Sequence, residues 1–127
     1  MKKFKKKVYV PLGVDFLHEG HINILKIAQK YGEVIVGLLT DEAIASYKSI
    51  PILNYKNREL LVKNLKYVSK VVPQTTDDYI NNLNKIRPDF LVHGDDWKYD
   101  NRKKIRNKVI KTLKKWSGKS VSYTHLT

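Results

Sequence analysis

No cysteine occurs among the 127 residues, which excludes a disulfide scaffold and a thiolate metal site and makes a reducing, cytoplasmic setting the expectation. No apolar run approaches the roughly 20 residues that a membrane-spanning helix needs, so a soluble protein is expected. The basic start, residues 1–7, is not followed by the apolar stretch and small-residue cleavage site of a secretory signal. Internal repeats and low-complexity linkers are absent too, and the length suits one domain with a real core.

Acidic residues are scarce: 12 Asp and Glu stand against 25 Lys and Arg, for a net charge of +13. The excess is local. Five lysines lie in residues 1–7, and nine Lys or Arg lie between Arg102 and Lys119, where there is no acid. The 11 other basic residues share the middle of the chain with all 12 acids. Two basic flanks around a nearly neutral centre read as a lysine-rich solvated surface, with anion steering as the second reading. Neither nucleic acid nor a membrane is an expected partner.

What is present is an alternation of strands and helices. Val8 to Val10 reads as a strand ended by Pro11 and Gly13, and Ile22, Leu25 and Ala28 recur at helical spacing after it. Val34 to Leu39 is a continuous apolar run, as in a parallel strand covered on both faces. Thr40-Asp41-Glu42 offers caps for a short helix, and Asn54 caps another whose buried stripe is predicted at Leu61, Leu65 and Val68. Val71-Val72 reads as a short strand stopped by Pro73. Asp77 or Asp78 caps a helix that Arg87-Pro88 breaks. Phe90-Leu91-Val92 is a further strand, and Ile105, Val109, Leu113 and Trp116 form the apolar stripe of a basic last helix. Repeated β-α-β units imply an α/β fold, a doubly wound parallel sheet with helices on both faces. Ligands of such sheets bind beyond the carboxyl ends of the strands.

Between the first strand and helix stands His18-Glu19-Gly20-His21. Gly20 admits close approach of a ligand, the first helical N–H groups favour an anion, and two imidazoles can donate to phosphate oxygens. With this motif, Val36 to Glu42, Ser46-Tyr47-Lys48 and Val92-His93-Gly94-Asp95-Asp96-Trp97, the chain resembles the cytidylyltransferase-like nucleotidyltransferases from about Val8 to Trp116. The nearest likeness is to the cytidylyltransferase domain associated with phosphoenolpyruvate mutase in phosphonate pathways. The resemblance implies a Rossmann-like fold and a catalytic set of His18, His21 and Lys48. It further implies nucleotide contacts from Val10, Leu12, Gly13, Asp15, Gly20, Arg58 and Gly94. Asp15 is also read as turn-forming or as ordering His18, and Arg58 as a structural ion-pair residue. Many family members carry glycine where this chain has Leu12, so the turn here is expected to be drawn differently.

Asp95, Asp96 and Trp97 form the acceptor-binding candidate, two carboxylates and an indole face for an ammonium group. His93 is read as a strand-end residue. The reaction implied is cytidylyl transfer from CTP, carried with Mg²⁺, to a small phosphonate or phosphate, the first choice being 2-aminoethylphosphonate. Phosphocholine, phosphoethanolamine and glycerol 3-phosphate are alternative acceptors, and an adenylyltransferase is a more distant one. A non-catalytic anion-binding module is the rival of a different class. No protein metal site is expected, and homodimers are common in the family. Residues 1–7 are read as a basic tail, 8–120 as the nucleotidyltransferase domain, and 121–127 as a truncated or non-native end. The family's late Ser/Thr-rich helix start has no counterpart in the sequence, so weak CTP binding and little turnover are expected of these 127 residues.

Overall fold

Successive residues of β1 (Lys7–Leu12) point to opposite faces of the sheet, and both faces are apolar. Val8, Val10 and Leu12 enter one core cluster, while Tyr9 enters the other. A strand of this kind must be covered twice. The computed structural model describes residues 6–14, 17–45, 52–76, 79–94 and 102–123, and within them the covering is complete. β1 is followed by α1 (Glu19–Gln29), β2 (Glu33–Leu39), α2 (Asp41–Ala45), α3 (Tyr55–Lys63) and β3 (Lys70–Gln74). The second half holds α4 (Ile80–Ile86), β4 (Phe90–Gly94), α5 (Arg102–Leu113), a 3₁₀ turn (Lys114–Trp116) and β5 (Lys119–Tyr123).

The five strands form one sheet in the order β3-β2-β1-β4-β5, with every pairing parallel. Ile24, Leu25 and Ala28 of α1 and Val62 of α3 cover one face. Leu83 of α4 with Val109 and Leu113 of α5 covers the other. The predicted stripe of the basic last helix holds, and Trp116 anchors its end by donating from Nε1 to the carbonyl of Pro88 at 2.7 Å. The doubly wound α/β sheet expected from sequence is therefore the architecture of the chain.

Several local expectations are corrected. Pro11 does not end β1, which runs on to Leu12. β1 is registered with β4 only at Val8–Phe90 and Tyr9–Leu91, so Pro11 lies where the two strands have parted and fewer ladder donors are needed. Pro73 likewise lies within β3, an edge strand, where a missing N–H is tolerated. Leu61 is exposed; α3 buries Arg58 and Val62 instead, and Leu65 and Val68 pack from the turn after the helix. Tyr79 occupies the N-cap of α4 without a capping side-chain bond, and Asp77 and Asp78 lie outside the described residues. Arg87 ends that helix in a left-handed conformation, φ 52°. Lys7, the last residue of the basic tail in the sequence reading, opens β1 and bonds through its N–H to Asp89 Oδ2. A strand in the terminal stretch is found as β5.

Candidate functional site

The order of strands reverses at β1: the chain leaves it for β2 on one side and returns to β4 on the other. Because β1 and β4 share only two registered pairs, the sheet opens at this switch toward the carboxyl ends of the strands. Gly13 and Val14, which follow β1 directly, lie at that end of the strand. Val14 has φ 45°, although its side chain is branched and buried against the α1 face of the sheet. A non-glycine residue there stores strain of order 1–3 kcal/mol. The turn is thus drawn with Gly13 followed by a left-handed valine.

α1 begins with its two histidines locked to each other. His18 is the N-cap in extended conformation, and its Nδ1 accepts from Gly20 N–H at 3.0 Å. His21 Nδ1 accepts in turn from His18 N–H at 3.2 Å, closing a capping box in which imidazoles replace the usual hydroxyl and carboxylate. The ring centroids are 3.9 Å apart. Accepting at Nδ1 requires that nitrogen to be bare, so each neutral ring carries its hydrogen on Nε2. One expectation changes here. The Gly20 N–H is satisfied by His18, so an anion at this helix start meets imidazole donors before free backbone.

Arg58 lies elsewhere than its expected role. Its side chain is 0% exposed, and four of its five N–H groups are committed. Nε donates to Leu53 O at 3.0 Å, one terminal nitrogen donates to Gly13 O at 2.8 Å and Leu39 O at 2.7 Å, and the other pairs with Asp41 at 2.6 Å. A buried cation needs such saturation to offset its desolvation. The residue assigned to nucleotide contact therefore braces the floor under the loop, the structural alternative of the sequence reading. α2 and α3 start where predicted: Thr40 Oγ1 accepts from Ala43 N–H and Asn54 Oδ1 from Asn57 N–H.

Of the other assigned residues, Val10 is fully buried and Leu12 nearly so, so their side chains belong to the core. Gly13 and Gly20 flank the opening through backbone alone, and Gly94 closes β4 beside it. His93 is buried at the end of β4 with Nε2 3.0 Å from Ser120 Oγ, which agrees with its reading as a strand-end residue. Lys48, Asp15, Asp95, Asp96 and Trp97 lie outside the described residues. Among the described residues no three His, Asp or Glu side chains gather as a metal site would require.

A buried polar network was not anticipated. The Tyr9 hydroxyl donates to Gln74 Oε1 at 2.5 Å and accepts from Asn82 Nδ2 at 2.9 Å, joining β1, β3 and α4 across β2. Burial drives the phenol well above its ordinary pKa, the Asn82 hydrogen bond opposing. Gly37 makes the passage, since a Cβ there would stand 1.7 Å from the Tyr9 oxygen. An isolated glycine inside the apolar run 34–39 was the available signal.

A parallel sheet whose order reverses at β1, followed by an imidazole-capped helix start, has the arrangement in which open α/β sheets bind ligands. The chain belongs to the cytidylyltransferase-like family, whose profile matches residues 14–125. It is 39% identical over 95 residues to the ethanolamine-phosphate cytidylyltransferase of Dictyostelium discoideum, covering 71% of this chain and 26% of that protein. It is 37% identical over 117 residues to the FAD synthase of Korarchaeum cryptofilum, covering 87% of this chain and 78% of that one. The chain thus spans about a quarter of the first relative and most of the second. The lipopolysaccharide core biosynthesis protein from Thermoplasma volcanium superposes with a TM-score of 0.79 over 98% of both chains at 24% identity, a likeness of fold.

Proposed function

We propose that the chain is a nucleotidyltransferase domain that moves a cytidylyl group from CTP to a small, amine-bearing phosphate or phosphonate. The observation that carries the proposal is the histidine capping box at the sheet's opening, which sets two Nε2–H tautomers at a helix N-terminus. An acceptor oxygen attacks the α-phosphorus of CTP, the bond from that phosphorus to the bridging oxygen breaks, and pyrophosphate leaves with the electron pair. The Nε2–H groups of His18 and His21 donate to phosphate oxygens that gain charge as the bond breaks. Such preorganised donors supply much of the catalysis in phosphoryl and nucleotidyl transfer. Mg²⁺ arrives with CTP and belongs to the substrate.

Lys48 is assigned to bridge nucleotide and acceptor, a task that suits a mobile ammonium. Asp15 orders His18 or forms the turn. Asp95, Asp96 and Trp97 take the acceptor's ammonium group. The ethanolamine-phosphate cytidylyltransferase relatives support an acceptor in which an amine is tethered to a phosphorus group. 2-Aminoethylphosphonate and ethanolamine phosphate share that chemistry and differ in a P–C against a P–O link; the phosphonate is our first choice.

The test pairs CTP or ATP with 2-aminoethylphosphonate, ethanolamine phosphate, phosphocholine, glycerol 3-phosphate and FMN, following pyrophosphate release and the ³¹P spectrum of the product. A cytidylyl adduct of an amine-bearing acceptor is the expected product. An adenylyl product with FMN, or a glycerol phosphate adduct exceeding the amine-bearing ones, would overturn the proposal.

A further inference from the structure

The β1–α1 turn holds a branched residue in a conformation that it adopts reluctantly, and something outside the turn must keep it there. Val14 stands at φ 45°, and the carbonyl before it, that of Gly13, accepts from the buried Arg58 guanidinium at 2.8 Å. The same terminal nitrogen holds Leu39 O at 2.7 Å, so one planar group fastens the end of β1 to the end of β2. Leu53 O and Asp41 fix the guanidinium from its other edges. The Arg58 side chain is itself fully buried. We propose that Arg58 is a positioning residue for the nucleotide loop: its clamp on the Gly13 carbonyl keeps Val14 left-handed, and this sets the direction in which the chain arrives at the His18–His21 box.

The inference rests on the nucleotidyltransferase reading. It requires the fork of an arginine. A lysine ammonium at the same place keeps the charge opposite Asp41 but cannot serve the carbonyls of Gly13 in the β1–α1 turn, Leu39 in β2 and Leu53 before α3 from one rigid plane. Strain also gives the clamp its task. Glycine adopts φ 45° without steric penalty, so a glycine at position 14 needs less holding.

The test measures CTP affinity by calorimetry, the imidazole tautomers of His18 and His21 by ¹⁵N spectra, and stability by urea unfolding. The proteins are wild type, Arg58→Lys, Val14→Gly and the double variant. At temperatures where all are folded, Arg58→Lys is expected to weaken CTP binding about ten-fold or more and to blur the Nε2–H signature. Adding Val14→Gly restores much of both, although the lost valine packing makes the double variant less stable. A bracing role without positioning predicts the reverse: falling stability and no recovery. Unchanged affinity and spectra in folded Arg58→Lys, or no recovery in the double variant, would overturn the inference. Asp41→Asn loosens the guanidinium without emptying its site and keeps the question open to test if Arg58→Lys fails to fold; a smaller loss and the same recovery are expected. Should CTP binding by the wild type be too weak to measure, the imidazole spectra still decide whether Arg58 positions the box.

Discussion

At the scale of single residues, His18 has two duties that substitution can separate. Its Nδ1 caps α1, while its Nε2–H is the proposed phosphate donor. His18→Ala is expected to lose about 1 kcal/mol of stability with the cap and about 10²-fold in kcat with the donor. His18→Asn supplies a good capping oxygen, so urea unfolding should return close to wild type while turnover stays low. Recovery of turnover in His18→Asn would remove the imidazole from the mechanism. Tyr9 offers a different readout. Tyr9→Phe leaves Gln74 and Asn82 short of a partner and is expected to cost about 1–3 kcal/mol. Burial raises the folded phenol above its ordinary value of 10.0, so its contribution is complete below that pH and is lost as pH rises toward the folded value. The stability gap between wild type and Tyr9→Phe should therefore close by about 1.4 kcal/mol per pH unit above pH 10, as measured by unfolding midpoints across the alkaline range.

At the scale of elements, α3 shows how a buried cation redirects a helix. Periodicity alone put Leu61 inward; the demand of Arg58 for four acceptors turns the helix so that Arg58 and Val62, one turn apart, face the core. Val62→Ala is expected to cost about 2 kcal/mol and Leu61→Ala less than about 0.5 kcal/mol. Equal costs in thermal unfolding would contradict this orientation. β2 carries a second element-scale constraint. In Gly37→Ala the new methyl group meets the Tyr9 ring end at 1.7 and 2.2 Å, and backbone on both sides leaves the strand little room to yield. A loss of several kcal/mol, beyond the roughly 1–3 kcal/mol of ordinary overpacking, is the expected outcome.

At the scale of the molecule, the net charge of +13 makes steering of an anionic nucleotide, the second reading of the two basic flanks, open to test. CTP affinity should fall several-fold from low salt to about 0.5 M salt, where the screening length shrinks to a few ångström, while binding of uncharged cytidine changes little. A salt-independent CTP affinity would show that the field plays no part.

The sequence by itself determined the alternation of strands and helices, the two-sided covering of the sheet and the place of the histidine motif at a helix start. Each follows from local chemistry: apolar runs without alternation, caps, breakers and helical spacing. Only the tertiary structure decided that Pro11 and Pro73 sit inside strands, because tolerance of a missing N–H depends on whether a neighbouring strand lies alongside. It also decided the position of Arg58. Its acceptors, Gly13, Leu39, Asp41 and Leu53, are scattered along the chain and meet only when β1, β2 and α3 pack, so no spacing in the sequence could announce them. The Tyr9–Gln74–Asn82 network was hidden for the same reason, betrayed only by the glycine that makes room for it. The contacts of the two histidine Nδ1 atoms were likewise decided in space, by the backbone N–H groups of His18 and Gly20.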